Sequence, residues 1–296
     1  MPPALDTAAP AAPSAAATRA RATAALWMGG AVGSFLLMAL AGRELSATLS
    51  TFQILCFRSV VGLVVVGLLA WRAGFGVLRT QRAGLHVGRN LAHLGGQFGW
   101  FFAIAALPLA SVFAIEFTIP LWTALLGALL LRERLSAARA ALIAAALAGV
   151  LMILKPGAGL WQPAALAALG GAVAYALSYL ATKRLTPTEA PLTILFYMTV
   201  VQLPVAAAGA WLHWQPPDWG QWPWILLVGV TALSAHYCIA RALALAELAV
   251  VMPVDFLRLP LVALIGWAAY GERLDALAVA GMAVIVVANA LNLRAR

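Results

Sequence analysis

Ten apolar runs, read at roughly 24–41, 48–70, 90–106, 111–131, 137–154, 164–182, 191–211, 223–241, 246–268 and 275–292, leave this 296-residue chain few possible architectures. An α-helix needs about 20 apolar residues to cross a bilayer, and each run is near that length. The third and fourth runs are parted only by Leu107-Pro108-Leu109, and the eighth and ninth by Ala242 to Leu245. Lipid offers no hydrogen bonds, so a spanning segment must be a helix or part of a closed barrel; long unbroken runs without dyad alternation select helices. Composition agrees. The chain is 64% hydrophobic and 10% charged with a mean hydropathy of +0.94, whereas soluble domains carry about 25% charged residues. The expected fold class is an all-α integral membrane protein of ten transmembrane helices.

The first 22 residues, MPPALDTAAPAAPSAAATRARA, are Ala/Pro-rich without an apolar period and read as a disordered cytoplasmic tail. Ala39-Leu40-Ala41 mimics a signal-peptidase site. The run containing it is longer than a signal core, and its GGAV motif recurs far downstream, so it reads as part of the fold.

Lysine and arginine set the orientation, because cytoplasmic loops retain positive charge. With the N-terminus inside, fourteen of the nineteen fall in inside segments, three (Arg43, Lys155, Arg273) in outside segments, and two (Arg58, Arg258) within spans. Both termini are therefore expected in the cytoplasm of a bacterial-type inner membrane. The longest outer loop, HWQPPDWGQW (213–222), has three tryptophans and no Lys or Arg, which suits a membrane interface. The net charge of +9 is then topological and makes no case for nucleic-acid binding. Cys56 and Cys238 fall inside spans as small apolar residues.

The sequence also says much the same thing twice. GGAVGSFLLMALAGREL (29–45) matches GGAVAYALSYLATKRL (170–185) at an offset of 141 that slips to 140. Glu116-Phe117 with Pro120 and then Glu133-Arg134-Leu135 answers to Asp255-Phe256 with Pro260 and then Glu272-Arg273-Leu274, both acidic pairs offset by 139. The expected organisation is a repeat over 23–157 and a second over 158–293. Five spans per repeat is an odd number, so the second must cross the bilayer upside down. Inverted repeats supply two interconvertible arrangements around a midplane site, the physical basis of alternating access.

At these residues the chain resembles the drug/metabolite transporter superfamily, and within it the EamA-type carriers. The resemblance rests on Arg58 in LCFRSVVGL, on ALPLASVFAIEFTIPLW, on LRERL after the fourth span, and on ALAELAVVMPVDFLRLPLVALIGWAAYGERL, and covers about residues 22 to 293. It implies a ten-helix basket around a central cavity, with members that export amino acids and related metabolites and others that take up S-adenosylmethionine or riboflavin. Glu116 departs from the apolar residue more usual there.

Polarity and helical spacing nominate the lining. Arg89, His93, Gln97 and Trp100 share one face of the third span, and Tyr175, Ser178, Tyr179 and Thr182 one face of the sixth. Ser34 is the repeat-mate of Tyr175, and His236 of Gln97. Against this, His and Gln in membrane helices often serve only as interhelical hydrogen-bonding groups, and Gly29, Gly30, Gly170 and Gly171 suit close helix approach. Pro120, Pro253 and Pro260 are expected to kink or open their helices, exposing carbonyls. Glu133 and Glu272 read as boundary residues. Arg58, Glu116, Asp255 and Arg258 lie within spans, where a charge is a functional-site candidate by default. Asp255 and Arg258 can pair at i, i+3, which leaves Glu116 as the expected partner of Arg58.

No HExxH, paired-aspartate metal site, nucleophile with a base, or P-loop is present in the sequence, so neither an enzyme nor a cofactor or metal is indicated. The expected function is alternating-access transport of a small polar or amphipathic metabolite, with export of an amino acid or derivative the leading reading and protons a candidate coupling ion. Uptake of a larger metabolite is the alternative within the class, and a channel or assembly scaffold the alternative outside it.

Overall fold

The computed structural model describes residues 15–131, 136–155 and 162–294. Residues 1–14 of the expected tail, Glu133, and the Pro156-Gly157 turn lie outside the described residues. Among the described residues twelve α-helices follow one another: α1 (Ala15–Ser46), α2 (Thr51–Ala73), α3 (Ala83–Ala106), α4 (Leu109–Glu116), α5 (Ile119–Leu131), α6 (Ala137–Leu154), α7 (Pro163–Leu185), α8 (Pro191–Trp211), α9 (Trp222–Leu245), α10 (Leu248–Asp255), α11 (Arg258–Tyr270) and α12 (Ala276–Arg294). No strand occurs among the described residues. α1 begins inside the segment expected to be tail, where its Ala-rich composition favours helix once the chain is anchored.

Local chemistry explains many boundaries. Ser50 and Gln53 form a capping box at the start of α2, Ser136 caps α6, and α7, α8 and α9 each carry proline in their first turn, where its missing N–H is no loss. α11 stops at Gly271, whose φ of 63° is the left-handed geometry of a helix C-cap.

Eight helical stretches among the described residues are long and apolar enough to cross a membrane, against the ten expected. The two that fall short are informative. α3 turns a polar stripe of His86, Arg89, Asn90, His93 and Gln97 inward, all buried, and lipid contact is left to its other side. α12 has a shorter apolar stretch, Ala276–Asn292.

The fourth and ninth runs each split in two, α4 from α5 and α10 from α11. Each gap sits just before a proline, Pro120 and Pro260, because proline cannot donate to the carbonyl four residues back. Pro253 lies inside α10 without ending it.

The helices pack in a regular scheme, α1 on α9, α3 on α7, α2 on α8, and α6 on α12. The α3–α7 contact is backbone to backbone. A Cβ on Gly99 would meet the carbonyl of Ala167, and one on Gly171 would come within 3.0 Å of the Gly96 oxygen. Of the four glycines of the two GGAV motifs, Gly30 meets Cys238 of α9 and Gly171 meets α3, while Gly29 and Gly170 face open space. Only the second glycine of each pair therefore serves close approach.

Hydrogen bonds define the two ends of the bundle. At one, Gln53 Nε2 donates to the Gln215 carbonyl at 2.7 Å and Gln221 to Thr48, tying the α1–α2 turn to the α8–α9 loop. At the other, Thr193 donates to the Val77 carbonyl at 2.6 Å and Arg82 to that of Arg184 at 2.7 Å. Trp211, Trp214, Trp219 and Trp222 are exposed around the first end.

Candidate functional site

Between these ends lies a narrow cavity. α1 contributes Phe35 and Met38, α2 Arg58, α3 His93, Gln97, Trp100 and Phe101, α4 Glu116, α5 Ile119, α7 Tyr175 and Tyr179, and α9 Ala232 and His236. Helices from both ends of the sequence thus close one polar pocket. The stripe on α3 faces it, as helical spacing requires of Gln97 and Trp100 once His93 points there.

One wall is an ion-pair triad. Arg258 reaches Glu116 Oε1 at 3.1 Å and Asp255 Oδ1 at 2.9 Å, with a further hydrogen bond from Arg258 to Asp255 Oδ2 at 3.1 Å. Trp100 Nε1 donates to the second oxygen of Glu116 at 2.8 Å. The guanidinium also lies over the rings of Phe35 and Phe117, at 4.5 and 4.9 Å from their centroids, an additional attraction for a desolvated cation. Only Glu116 of the three lines the cavity; Asp255 and Arg258 stand behind it.

The cavity wall also carries Arg58, 5% exposed. The expected Arg58–Glu116 pair does not form; the oxygens of Glu116 take Arg258 and Trp100 instead. Among the described residues Arg58 makes neither an ion pair nor a hydrogen bond, and its buried Nε is unsatisfied. Arg89 also lacks a carboxylate; its Nε donates to Thr182 Oγ1 at 3.1 Å and its Nη1 to Asn90 Oδ1 at 2.6 Å. His93 contacts Gln202 Nε2 through Nδ1 at 3.0 Å, with its ring edge-on to Tyr175 and 6.0 Å from that of His236. Gln97 Oε1 is buried without a partner.

Eight sequence candidates therefore converge on the cavity: Arg58, His93, Gln97, Trp100, Glu116, Tyr175, Tyr179 and His236. Ser34 does not line it. Its hydroxyl hydrogen-bonds Ser234 at 2.8 Å and the Gly30 carbonyl at 2.8 Å, fastening α1 to α9. Pro120 and Pro260 mark the helix breaks but do not line the cavity. Nor do the breaks leave every carbonyl free: that of Phe117 accepts from Asn289 of α12 at 2.5 Å. Phe35, Met38 and Ala232 were invisible to a polarity argument because they are apolar residues among apolar residues. Gln202 could have been found as a lone amide in the seventh run.

A second polar cluster closes one end. Arg43 pairs with Glu272 at 3.1 Å and donates to the Leu107 carbonyl at 2.5 Å, while Glu272 accepts from the Leu109 N–H at 2.8 Å. Tyr270 donates to Glu44 at 2.7 Å. Lys155 pairs with Asp275, and the hydrogen bond from its ammonium holds that carboxyl below the usual carboxylate range. Glu272 is thus a boundary fastening, whereas its counterpart Glu133 falls outside the described residues.

Comparison with known proteins places this architecture. A solved protein structure superposes with a TM-score of 0.63 over 92% of this chain and 96% of its own, at 20% identity, a likeness of fold. The chain is 32% identical over 235 residues to a riboflavin transporter of Vibrio cholerae, covering 77% of this chain and 78% of that protein. It is 30% identical over 248 residues to a pseudopaline exporter of Pseudomonas aeruginosa, covering 83% and 87% respectively. It is 23% identical to an S-adenosylmethionine uptake transporter of Rickettsia prowazekii, covering 83% and 84%. The EamA-like transporter family model matches residues 22–155 and again 162–294. With both stretches matched, apolar helices suited to a bilayer and transporters among its relatives, this multi-pass membrane protein belongs to the EamA-like transporter family.

Proposed function

We propose that the chain is a secondary carrier that moves a small polar or amphipathic metabolite across a bacterial inner membrane by alternating access. The observation that carries this reading is a polar cavity walled by helices of both family matches. The packing supports an inverted repeat of five spans each, in which α4 with α5, and α10 with α11, count as one broken span. In that numbering the first span of one half packs on the third of the other, α1 on α9 and α7 on α3, which is the relation a two-fold axis in the membrane plane generates. Basic residues crowd the end holding Arg79, Arg82 and Arg184, which supports cytoplasmic termini.

The relatives named above are known for uptake as well as export, so the cavity must be read for its solute before its direction. Export of an amino acid or derivative follows the sequence resemblance; uptake of a flavin is the second reading, favoured by the riboflavin transporter of Vibrio cholerae. Purified protein in liposomes decides. Riboflavin, S-adenosylmethionine and a set of labelled amino acids are each offered, and at least one is expected to enter saturably and to exchange in counterflow. His93→Ala or Gln97→Ala is expected to raise KM for that solute while the protein stays folded. Flux that never saturates would mark a channel, and absence of flux with every solute would remove the carrier reading.

A further inference from the structure

The cavity is electrically incomplete, and the missing charge identifies a class of solute. Arg58 is buried, faces the cavity, and has no carboxylate or hydrogen-bond acceptor among the described residues. A guanidinium withdrawn from water without a counter-charge is strongly unfavourable, and proteins retain one where something else supplies the charge. The carboxylate that lines the cavity, Glu116, does not contact Arg58. Both oxygens of Glu116 are already engaged, by Arg258 and by Trp100, and Asp255 is turned to the same arginine. Arg89, behind the lining and within electrostatic reach of Arg58, also lacks an acid partner, so it adds positive charge near Arg58 and none that is negative. Tyr175, with Phe35 and Trp100, provides aromatic wall to the same space as Arg58 and Glu116.

Resting on the carrier reading above, we infer that the solute is an organic anion with a planar or aromatic body, its carboxylate or phosphate meeting the unpartnered guanidinium of Arg58 and its ring lying against Tyr175 and Trp100. Gln97, whose buried Oε1 also lacks a partner, is placed to receive a donor from the same solute. A zwitterionic amino acid fits less well, since its ammonium would have to share Glu116 with Arg258 and Trp100. Guanidinium suits the task because its planar fork can make two parallel bonds to a carboxylate or phosphate.

Two measurements on the purified full-length protein test this. The first needs no ligand. If Arg58 waits for a solute, Arg58→Met should raise the melting temperature of the empty protein by ~3 °C, because it removes an uncompensated buried charge while keeping the side-chain volume. A lower melting temperature, or failure of this variant to fold, would show that Arg58 serves the fold and would overturn the proposal.

The second compares the binding of matched ligands that share a ring: 3-phenylpropionate with 3-phenylpropionamide and with phenylalanine, and riboflavin 5′-phosphate with riboflavin. The anion is expected to bind at least ~10-fold more tightly than its uncharged mate in one pair or more, and 3-phenylpropionate more tightly than phenylalanine. Arg58→Lys should keep the preference and Arg58→Met should abolish it. Equal or tighter binding of the uncharged mate in every pair, binding of none of these ligands, tighter binding of phenylalanine, or a preference that survives in Arg58→Met would each overturn the inference. The two readings fail separately. Saturable flux of an uncharged solute, insensitive to Arg58, would sink the anion and leave the carrier standing. An absence of flux in wild-type liposomes would sink the carrier, and the melting and binding measurements would still judge Arg58.

Discussion

At the scale of single residues, pairing decides which charges are structural. Arg258 holds two carboxylates and rests on aromatic faces, so its charge is compensated. Removing one member of such a group strands the others, at a cost of about 3–5 kcal/mol for a buried pair. Arg258→Met is therefore expected to destabilise the protein by about that amount, and adding Glu116→Gln should recover part of it. A thermal or denaturant double-mutant cycle should give a Glu116–Arg258 coupling of at least ~1 kcal/mol, whereas Arg58 and Glu116 should be additive within ~0.5 kcal/mol. Coupling between Arg58 and Glu116 as large as that to Arg258 would contradict the pairing seen here. The short local spacing of Asp255 and Arg258 made their pair legible in the sequence. Arg258 rather than Arg58 as the partner of Glu116 was not, because two arginines on different helices are indistinguishable until the helices are placed.

At the scale of elements, close approach and broken helices shape the cavity. α3 can present its polar stripe because glycines let α7 come near enough to cover it: Gly96 leaves room for the Tyr175 ring, and Gly99 faces the Ala167 carbonyl. A methyl at Gly99 would press on backbone, which cannot rotate away as a flexible side chain can. Gly99→Ala is expected to cost about 1–3 kcal/mol, read as a lower melting temperature, and to widen the α3–α7 separation. Gly170→Ala, at a position facing open space, is the control that should leave stability within ~0.5 kcal/mol. The prolines announced the two helix breaks in advance. What fills the gap was hidden: Asn289, far along the chain, takes the Phe117 carbonyl.

At the scale of the whole molecule, one end is fastened by Arg43–Glu272, Tyr270–Glu44 and Lys155–Asp275, contacts that join the first repeat of the proposed pair to the second. A carrier that alternates must release such fastenings when that end opens. Glu272→Gln should loosen it, because it removes the charge facing Arg43. The check is the alkylation rate of Met38→Cys, at the cavity, in protein whose Cys56 and Cys238 are replaced by alanine. That rate is expected to rise several-fold with Glu272→Gln, and an unchanged rate would show that the fastening does not govern access. Acid should act in the same direction through Asp275. Its folded-state pKa is depressed, so its contribution is present above the unfolded value and is lost as pH falls through the folded one. Asp275 is exposed, so this is a secondary effect that salt would weaken.

The helical membrane architecture and the membership of the two stretches in one family were already present in the amino-acid sequence. Run length and backbone hydrogen bonding in lipid admit little else, and repeated motifs survive in linear order. Eight of the cavity residues were legible for a related reason: a polar side chain is conspicuous in an apolar helix. Three things were decided only by tertiary structure: the apolar part of the lining, the assignment of Glu116 to Arg258, and the lack of any partner for Arg58. Each depends on which helix faces which across the bundle. Helical periodicity gives the face of a residue on its own helix, whereas the partner opposite is set by packing between helices distant in sequence.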